Sequence, residues 1–294
     1  MPELPDIVVY IESLETRIQG GTLERVRVLN PFVLRTAVPP VSTTAGRKVV
    51  GLRRLGKRIV IELDDELFLV LHLMVAGRLR WLEGKARLPN KIALAAFDFD
   101  SGTLLFTEAG TRRRASIHLV QGQAAMNALH AGGMEVLESD PAAFSKRLKT
   151  ENHTLKRALT DPRIVSGIGN AYSDEILHRA RLSPIAPTGT LGDEEVLRLF
   201  DAIRAVLGEW TDRLRKQAAG EFPEKVTAFR EGMAVHGRYG QPCPDCGSPV
   251  QRIVYADNET NYCARCQTGG RILADRALSR LLRKSWPRSI DEIE

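Results

Sequence analysis

CPDCGSPVQRIVYADNETNYCARC, residues 243–266, holds all four cysteines of the chain in the order Cys-x₂-Cys-x₁₆-Cys-x₂-Cys. A Cys-x₂-Cys pair forms a tight turn that presents two thiolates to one metal ion, and two such pairs complete the tetrahedral site that Zn²⁺ prefers. The alternatives are disulfides or unrelated buried thiols, and disulfides are uncommon in a reducing cytosol. We therefore predict one structural Zn²⁺ with the ligands Cys243, Cys246, Cys263 and Cys266.

The residues between the two pairs favour a β-hairpin. Val250, Ile253 and Val254 are strand-forming, and Asp257-Asn258 is a turn signal. Four thiolates close the coordination sphere, so the zinc supplies folding energy instead of chemistry. This module is expected to be a zinc ribbon that holds a surface in place.

Charge is distributed unevenly along the 294 residues, whose net charge is +6. Basic residues cluster at 53–58, at 112–114 and at 271–288, where six bases face one acid. Such clusters are typical of a polyanion partner, although they also occur as ordinary solvated surface.

The chain lacks the signals of export or membrane insertion. Acids stand where a secretory signal would be basic, and the longest apolar runs, such as 67–76, are too short to span a bilayer. We expect a cytoplasmic monomer without a membrane partner, associated with the nucleoid if the source is bacterial.

Hydrophobic patterning predicts an α+β fold. A helix is expected over 1–20, followed by short strands with turns to about 128, which favour a sandwich or barrel. From about 134 the pattern is helical, most clearly over 192–214, where Thr190-x-x-Asp193 resembles an N-terminal cap.

The segment 155–184 predicts two helices around a glycine turn, Gly167-Ile168-Gly169-Asn170. Glycines before a helix N-terminus let backbone N–H groups approach an anion closely, and Asn170 could cap the helix or bind a phosphate. Glycine turns between helices are common, so this motif alone does not decide between the two roles.

The chain begins MPELPDIVVYIESLE, residues 1–15. Prolines and an acid before an apolar-periodic segment most simply open a helix. If Met1 is removed, Pro2 instead offers a secondary amine as a nucleophile, with Glu3 beside it as a proton donor.

Five motifs occur in an order that resembles the formamidopyrimidine-DNA glycosylase / endonuclease VIII family. They are PELP (2–5), RRLGKRIVIEL (53–63), HLMVAGRL (72–79), GIGNAYSDEIL (167–177) and the four-cysteine ribbon. The resemblance implies an N-terminal helix plus β-sandwich, a helical domain with a helix–two-turns–helix, and a C-terminal four-cysteine zinc ribbon. It also implies a DNA repair glycosylase with abasic-site lyase activity, whose partner is damaged DNA.

On this basis we expect four segments. They are an N-terminal catalytic domain (1–130), a DNA-binding helix–two-turns–helix domain (134–222), a zinc-ribbon hairpin (236–270) and a basic helical tail (271–294).

The same resemblance implies the site residues. Pro2 would attack C1′ of the damaged nucleotide and form a Schiff base, from which β-elimination follows, and Glu3 would help to open the sugar ring. Lys57 would contact phosphate at the lesion, and Asn170 would hold phosphate in the helical domain. The other candidate DNA-binding residues are Arg112, Arg113, Arg114, Lys156, Arg252 and Asn258.

The sequence departs from the family pattern at five places. Asn258 replaces the usual ribbon arginine, which puts δ-elimination in question. Val75 stands where a methionine wedge is common, and GTRRRAS (110–116) lacks the usual phenylalanine. The segment 220–229 is short, which disfavours 8-oxoguanine as the main substrate, and the tail continues beyond the ribbon.

These departures leave an alternative, namely a zinc-containing DNA-damage binding protein without turnover. RNA binding has less support, because aromatic residues make up only 6% of the chain and form no stacking cluster in the sequence.

Overall fold

The computed structural model describes residues 1–84, 91–110, 112–224, 226–227, 229–255, 258–275, 279, 281 and 286–293. The chain divides into two compact units. The first contains residues 1–131 and 210–227, and the second contains residues 132–209 and 228–294. The predicted α+β fold is confirmed: a helix and a β-sheet come first, followed by a helical region and the four-cysteine module.

The first unit begins with helix α1, Leu4–Ile18. Pro5 lies in its first turn, where the missing N–H removes no helical hydrogen bond. The predicted apolar face is buried, including Ile7, Leu14 and Ile18. Gly20 follows the helix with a φ of +77°, a conformation that glycine adopts without strain.

Among the described residues of the first unit, eight strands follow α1. They are β1 (Thr22–Val28), β2 (Arg47–Leu55), β3 (Arg58–Leu63), β4 (Leu67–His72), β5 (Gly77–Leu82), β6 (Ala93–Phe99), β7 (Gly102–Glu108) and β8 (Ser116–Gln121). Helix α2, Gln123–Asn127, comes after β8.

The strand order is β5-β7-β6-β1-β2-β3-β4-β8, with antiparallel pairing throughout the described register. The two four-stranded halves join at the start of β1, where Thr22 pairs with Lys48. Ile59 and Leu69 of one half share a single core with Phe97 of the other half. Apolar side chains from two sheet faces in one core make a β-sandwich, as predicted.

The second unit contains the helical region and the ribbon. Its elements are α3 (Pro141–Leu148), α4 (Leu155–Thr160), α5 (Asn170–Arg179), α6 (Asp193–Ala218), whose residues from 210 onward belong to the first unit, β9 (Gln251–Tyr255), β10 (Asn258–Tyr262) and α7 (Ala264–Thr268). Short 3₁₀ turns occupy Pro31–Val33, Val41–Thr44, Val136–Glu138, Thr188–Thr190 and Ile290–Glu292.

Helices α4 and α5 confirm the predicted helix–turn–helix. Between them Gly167 has a φ of +81°, which a side chain would strain, and Gly169 is the N-cap residue of α5. The long helix α6 confirms the segment predicted over 192–214, but its predicted cap is wrong. Gly192 N–H donates to Glu195 Oε2 at 3.0 Å, whereas the Thr190 hydroxyl donates to the carbonyl of Pro187.

The chain after the ribbon folds back onto it. Ile272, Leu273 and Ile290 are buried in one cluster with Tyr262 of β10, and Asp275 Oδ2 accepts the Val254 N–H at 2.9 Å. Most of residues 276–285, in the middle of the helical tail predicted over 271–294, lie outside the described residues. Among the described residues, no helix is long and apolar enough to cross a membrane.

Candidate active site and metal centre

The amino terminus is buried at the start of α1. Pro2 and Glu3 are both buried, Glu3 with 2% exposure. Glu3 is the N-cap residue and forms a capping box with Asp6, in which the Glu3 N–H donates to Asp6 Oδ2 at 2.8 Å. The sequence PELPD therefore opens the helix, and it also fixes two buried carboxyl groups beside the first residues of the chain.

Burial lowers the pKa of the amino group on Met1. The charges of Glu3 and Asp6 oppose this pKa shift, and those of Arg78 and Lys57 add to it. A lower pKa raises the fraction of neutral, nucleophilic amine near neutral pH. The structure thus brings Glu3 and Lys57 within electrostatic reach of the amine.

Lys57 lies in the two-residue turn between β2 and β3. Gly56 gives this turn its left-handed residue, with a φ of +61°, and its carbonyl accepts from Arg54 Nη1 at 2.9 Å. Burial lowers the pKa of the neighbouring His72 to about 4, and the charges of Arg58 and Lys57 add to that shift. His72 is therefore neutral at physiological pH.

The arginine cluster at 112–114 is exposed on the loop before β8. Glu108, which is 1% exposed, anchors this loop by accepting the backbone N–H groups of Arg114 and Ala115. Val75, the residue at the usual wedge position, is 60% exposed. The anchored backbone thus presents charged side chains to solvent at a fixed place.

In the second unit, Lys156 is directed inward. Its Nζ lies 2.7 Å from the carbonyl oxygen of Asn170 and 2.6 Å from Asp174 Oδ1. The side-chain amide of Asn170 in turn donates to the backbone carbonyl of Glu259 at 2.8 Å. Asn170 and Lys156 are thus brought together, and the ribbon strand β10 fixes the orientation of the Asn170 side chain.

Sequence reasoning missed the partner on the other side of Asp174. His236 Nδ1 lies 2.7 Å from Asp174 Oδ2, and both side chains are buried. Glu175, the next residue of α5, accepts the backbone N–H groups of residues 234–236.

The Phe229 ring, which is 70% exposed, stacks on the His236 ring with centroids 5.6 Å apart. Phe229, Met233, His236 and Arg238 line a shallow cavity of about 510 Å³.

The remaining two ribbon candidates differ in their surroundings. Arg252 pairs with Glu259 at 3.1 Å, and its guanidinium lies 4.2 Å from the centroid of the Tyr239 ring. Asn258 is exposed at the first position of β10. The ribbon therefore presents an amide at this position, and its nearby arginine is held by an acid and an aromatic ring.

The four predicted cysteine ligands converge. Their sulfur atoms lie within 4.8 Å of one another. The Sγ atoms of Cys243 and Cys266 are 3.9 Å apart, and those of Cys246 and Cys263 are 3.4 Å apart. Tetrahedral Zn²⁺ with Zn–S bonds of about 2.3 Å separates its sulfur ligands by about 3.8 Å, so the donor set fits zinc.

Two of these thiols, Cys263 and Cys266, hold their protons when no metal ion is bound. At Cys246, by contrast, burial is outweighed by hydrogen bonds from Ser248, Cys263 and Cys266, which lower the pKa of this thiol to about 7. Burial raises the pKa of the Cys263 thiol to about 12, and burial also raises the pKa of Cys266. Zinc must displace these protons on binding, so the folded ribbon depends on the metal to stabilise its buried thiolates.

Family models match three parts of the chain. The formamidopyrimidine-DNA glycosylase N-terminal domain matches residues 1–117. The H2TH domain of the same enzymes matches residues 133–215. The zinc finger found in FPG and IleRS matches residues 240–269.

Whole-chain relatives agree with these matches. A formamidopyrimidine-DNA glycosylase of Heliobacterium modesticaldum is 36% identical over 280 residues, which cover 91% of this chain and all of the relative. The MutM (Fpg) crystal structure from Thermus thermophilus has a TM-score of 0.75 and 32% identity, and the match covers 90% of this chain and 98% of that one. The Lactococcus lactis Fpg in complex with DNA containing an abasic site has a TM-score of 0.80 and 25% identity, with coverage of 90% and 99%.

The motif order, the sandwich with its buried amino terminus, the helix–turn–helix and the four-cysteine cluster all agree with these matches. The chain belongs to the formamidopyrimidine-DNA glycosylase family, and it is a DNA repair enzyme, a DNA glycosylase with a four-cysteine zinc finger.

Proposed function

We propose that this DNA glycosylase removes a damaged base through its amino-terminal proline and then cleaves the strand at the resulting abasic site. The observation that carries the proposal is the burial of Pro2 and Glu3 beside the amino group of Met1, whose pKa burial lowers. Removal of Met1 would place the Pro2 amine in the same buried surroundings, next to Glu3. Damaged DNA is the proposed partner, and the Lactococcus lactis relative in complex with abasic-site DNA supports it.

The reaction begins when removal of Met1 leaves Pro2 with a secondary amine. Its lone pair attacks C1′ of the nucleotide, and the bond from C1′ to the base breaks with its electron pair on the base. The base takes up the proton that the Pro2 nitrogen loses as the N–C1′ bond forms. Glu3 donates a proton to O4′ as the sugar ring opens, which leaves an iminium between Pro2 and C1′.

Strand cleavage follows from the positive charge of the iminium. This charge stabilises the electron pair left when the 2′ proton is lost, and the 3′ phosphate then departs in β-elimination. Water hydrolyses the iminium and frees Pro2. The nitrogen of this iminium carries no hydrogen, so it cannot lose a proton to become a neutral imine and it keeps its charge, which explains why proline suits the role.

Lys57 supplies positive charge next to this reaction. Its charge lowers the pKa of the amino terminus, and it lies in the turn between β2 and β3. We assign it to the phosphate at the lesion, where it also favours the neutral form of the amine.

DNA contacts are assigned to both units. The exposed Arg112, Arg113 and Arg114 are proposed to contact the backbone or fill the space left by the extruded nucleotide. Asn170 at the start of α5 is proposed to bind phosphate, with Lys156 holding its backbone. The ribbon contributes Arg252 and Asn258.

We further propose that residues 1–130 form the catalytic domain, 134–222 the helix–two-turns–helix domain, 236–270 a ribbon with one Zn²⁺, and 271–294 a basic tail. The protein is proposed to act as a cytoplasmic monomer.

Borohydride trapping tests the mechanism. Full-length protein, a duplex with a single abasic site and sodium borohydride should give a covalent protein–DNA adduct on a denaturing gel. The control Pro5→Ala changes the other proline of PELP and should retain the adduct. Pro2→Leu should give none, because a large second residue prevents removal of Met1.

Wild-type protein that forms no adduct with abasic or base-damaged duplexes would refute the proposal. Tight, salt-sensitive binding without product on every duplex would indicate the zinc-containing DNA-damage binding protein instead.

A further inference from the structure

A histidine outside the cysteine module lies against the metal site. His178 is on α5, and its Nε2 lies 3.2 Å from Cys243 Sγ. His178 is 4% exposed and Cys243 is 2% exposed. No local pattern joins them, because they are 65 residues apart in the chain.

We propose that His178 is a positioning residue for the zinc site. Its Nε2–H donates a hydrogen bond to the Cys243 thiolate, and this bond helps the site to retain the metal. A zinc-bound thiolate has no proton, so it can only accept a hydrogen bond. The direction of the bond is therefore fixed once the metal is bound, with the imidazole as the donor.

The charge of the site explains why such a donor is useful. Four thiolates around one Zn²⁺ leave excess negative charge, and Cys243 is among the buried ligands, remote from water that could solvate this charge. A hydrogen bond from His178 offsets part of that cost and fixes the orientation of the Cys243 side chain.

The other nearby acceptor for the His178 Nε2–H, the carboxylate of Asp245, is less favourable than Cys243. Asp245 Oδ2 lies 4.0 Å from Nε2 and its side chain is 44% exposed, so it is beyond hydrogen-bond distance and partly solvated. His178 also lies with Asp245 and Cys266 in a group that could hold a metal ion. The four cysteines already form a complete tetrahedral set, so His178 remains outside the coordination sphere.

A second buried bond ties the same region to α5. Gln267 of α7, one residue beyond the last cysteine ligand, donates from Nε2 to the carbonyl of Leu182 at 2.9 Å. The zinc knuckles are thus attached to α5 through His178 and to the segment after α5 through Gln267. Loss of the His178 bond is expected to loosen the metal site specifically at Cys243.

Zinc release from the full-length protein tests this role. In His178→Gln the side-chain nitrogen approximates imidazole Nε2, whereas in His178→Asn the amide is one carbon too short to reach Cys243. His178→Phe fills the volume without a donor. Transfer of zinc to the chromophoric chelator 4-(2-pyridylazo)resorcinol is measured for each. The matched control is His153→Gln, since His153 pairs with Glu151 instead.

Loss of a partner of this kind typically weakens metal binding by about 10–100-fold, so we expect that loss of affinity for the Asn and Phe variants. The Gln variant and the His153 control should remain close to wild type. If the Phe variant does not fold, the Asn and Gln pair decides the question.

Cobalt substitution separates a hydrogen-bond donor from a ligand. The absorption bands of the Co²⁺ protein should report four thiolates in wild type and in every His178 variant. The proposal would be overturned if both the Asn and the Phe variant released zinc as the wild-type protein does. A cobalt spectrum that shows an imidazole ligand in wild type and loses it in the variants would also overturn it. Neither readout depends on glycosylase activity.

Discussion

The amino terminus of the first unit and helix α5 of the second unit both hold buried polar groups, but burial has different consequences in each. At the amino terminus, burial lowers the pKa of the chain's amino group and so changes its reactivity. In α5, the fully buried Asp174 accepts from Lys156 at 2.6 Å and from His236 at 2.7 Å. There, each buried carboxylate oxygen has a hydrogen-bond partner, and these bonds fix the position of the side chain.

The difference shows how one chain separates chemistry from binding. A reactive amine requires a pKa lowered toward neutral pH, and desolvation lowers the pKa of an amine. A residue that holds a phosphate, as proposed for Asn170, requires a fixed backbone, which the Lys156–Asp174–His236 network supplies. Variants of one region should therefore alter rate or pH dependence, and variants of the other should alter stability or metal retention.

Removal of the metal should have the largest effect, and this effect should be confined to the second unit. Structural zinc typically contributes about 10–16 kcal/mol of apparent binding free energy, so zinc-free protein should lose the ribbon fold. Hydrogen exchange after treatment with chelator and reductant should show loss of protection in β9 and β10, while β3 and β4 remain protected. Unchanged protection of the ribbon would contradict this.

Glu3→Gln should have the next largest effect, on rate. Loss of a general acid typically costs about 10²–10⁴-fold, and the single-turnover rate of iminium formation, measured as borohydride-trapped adduct, should fall by that factor. Glu12→Gln, on the same helix, is the control, because Glu12 forms an exposed ion pair with Arg215. Equal losses in the two variants would mean that Glu3 acts only as a helix cap.

Asp174→Asn should destabilise the second unit. Breaking a buried ion pair typically costs about 3–5 kcal/mol, because the remaining charge is left buried without its partner. Glu209→Gln removes one member of the half-exposed Arg179–Glu209 pair and should cost less than about 1 kcal/mol. Denaturant unfolding of both variants measures the difference between the two losses of stability. Similar free energies of unfolding for the two variants would contradict the prediction.

Arg78→Gln should give the smallest effect, a shift in pH dependence. The charge of Arg78 lowers the pKa of the amino terminus, so its removal should raise that pKa. The neutral fraction at a given pH then falls, and the acidic limb of the trapping rate should move to higher pH. Arg80→Gln, an exposed arginine on the same strand, should leave the profile in place.

Local patterns predicted much of this molecule. The cysteine spacing indicated the metal site, and the apolar periodicity of 192–214 predicted α6, whose predicted stripe from Val196 to Leu214 is buried. Both signals depend on residues close in the chain, where spacing fixes geometry.

The rest depends on contacts between distant residues. His236 and Asp174 are 62 residues apart, and no periodic pattern in the sequence predicts the bond between them. Lys156 has the sequence appearance of a DNA contact, yet its ammonium is bonded inside the unit. For Pro2, the residues alone favoured a helix cap over a nucleophile, and only the family resemblance pointed to chemistry.

The most direct measurement is the site of the borohydride-trapped adduct. After nuclease digestion, mass spectrometry of the N-terminal peptide should find Met1 absent and the sugar remnant on the nitrogen of Pro2. Fully active protein that retains Met1, or a remnant on the side chain of Lys57, would contradict the account.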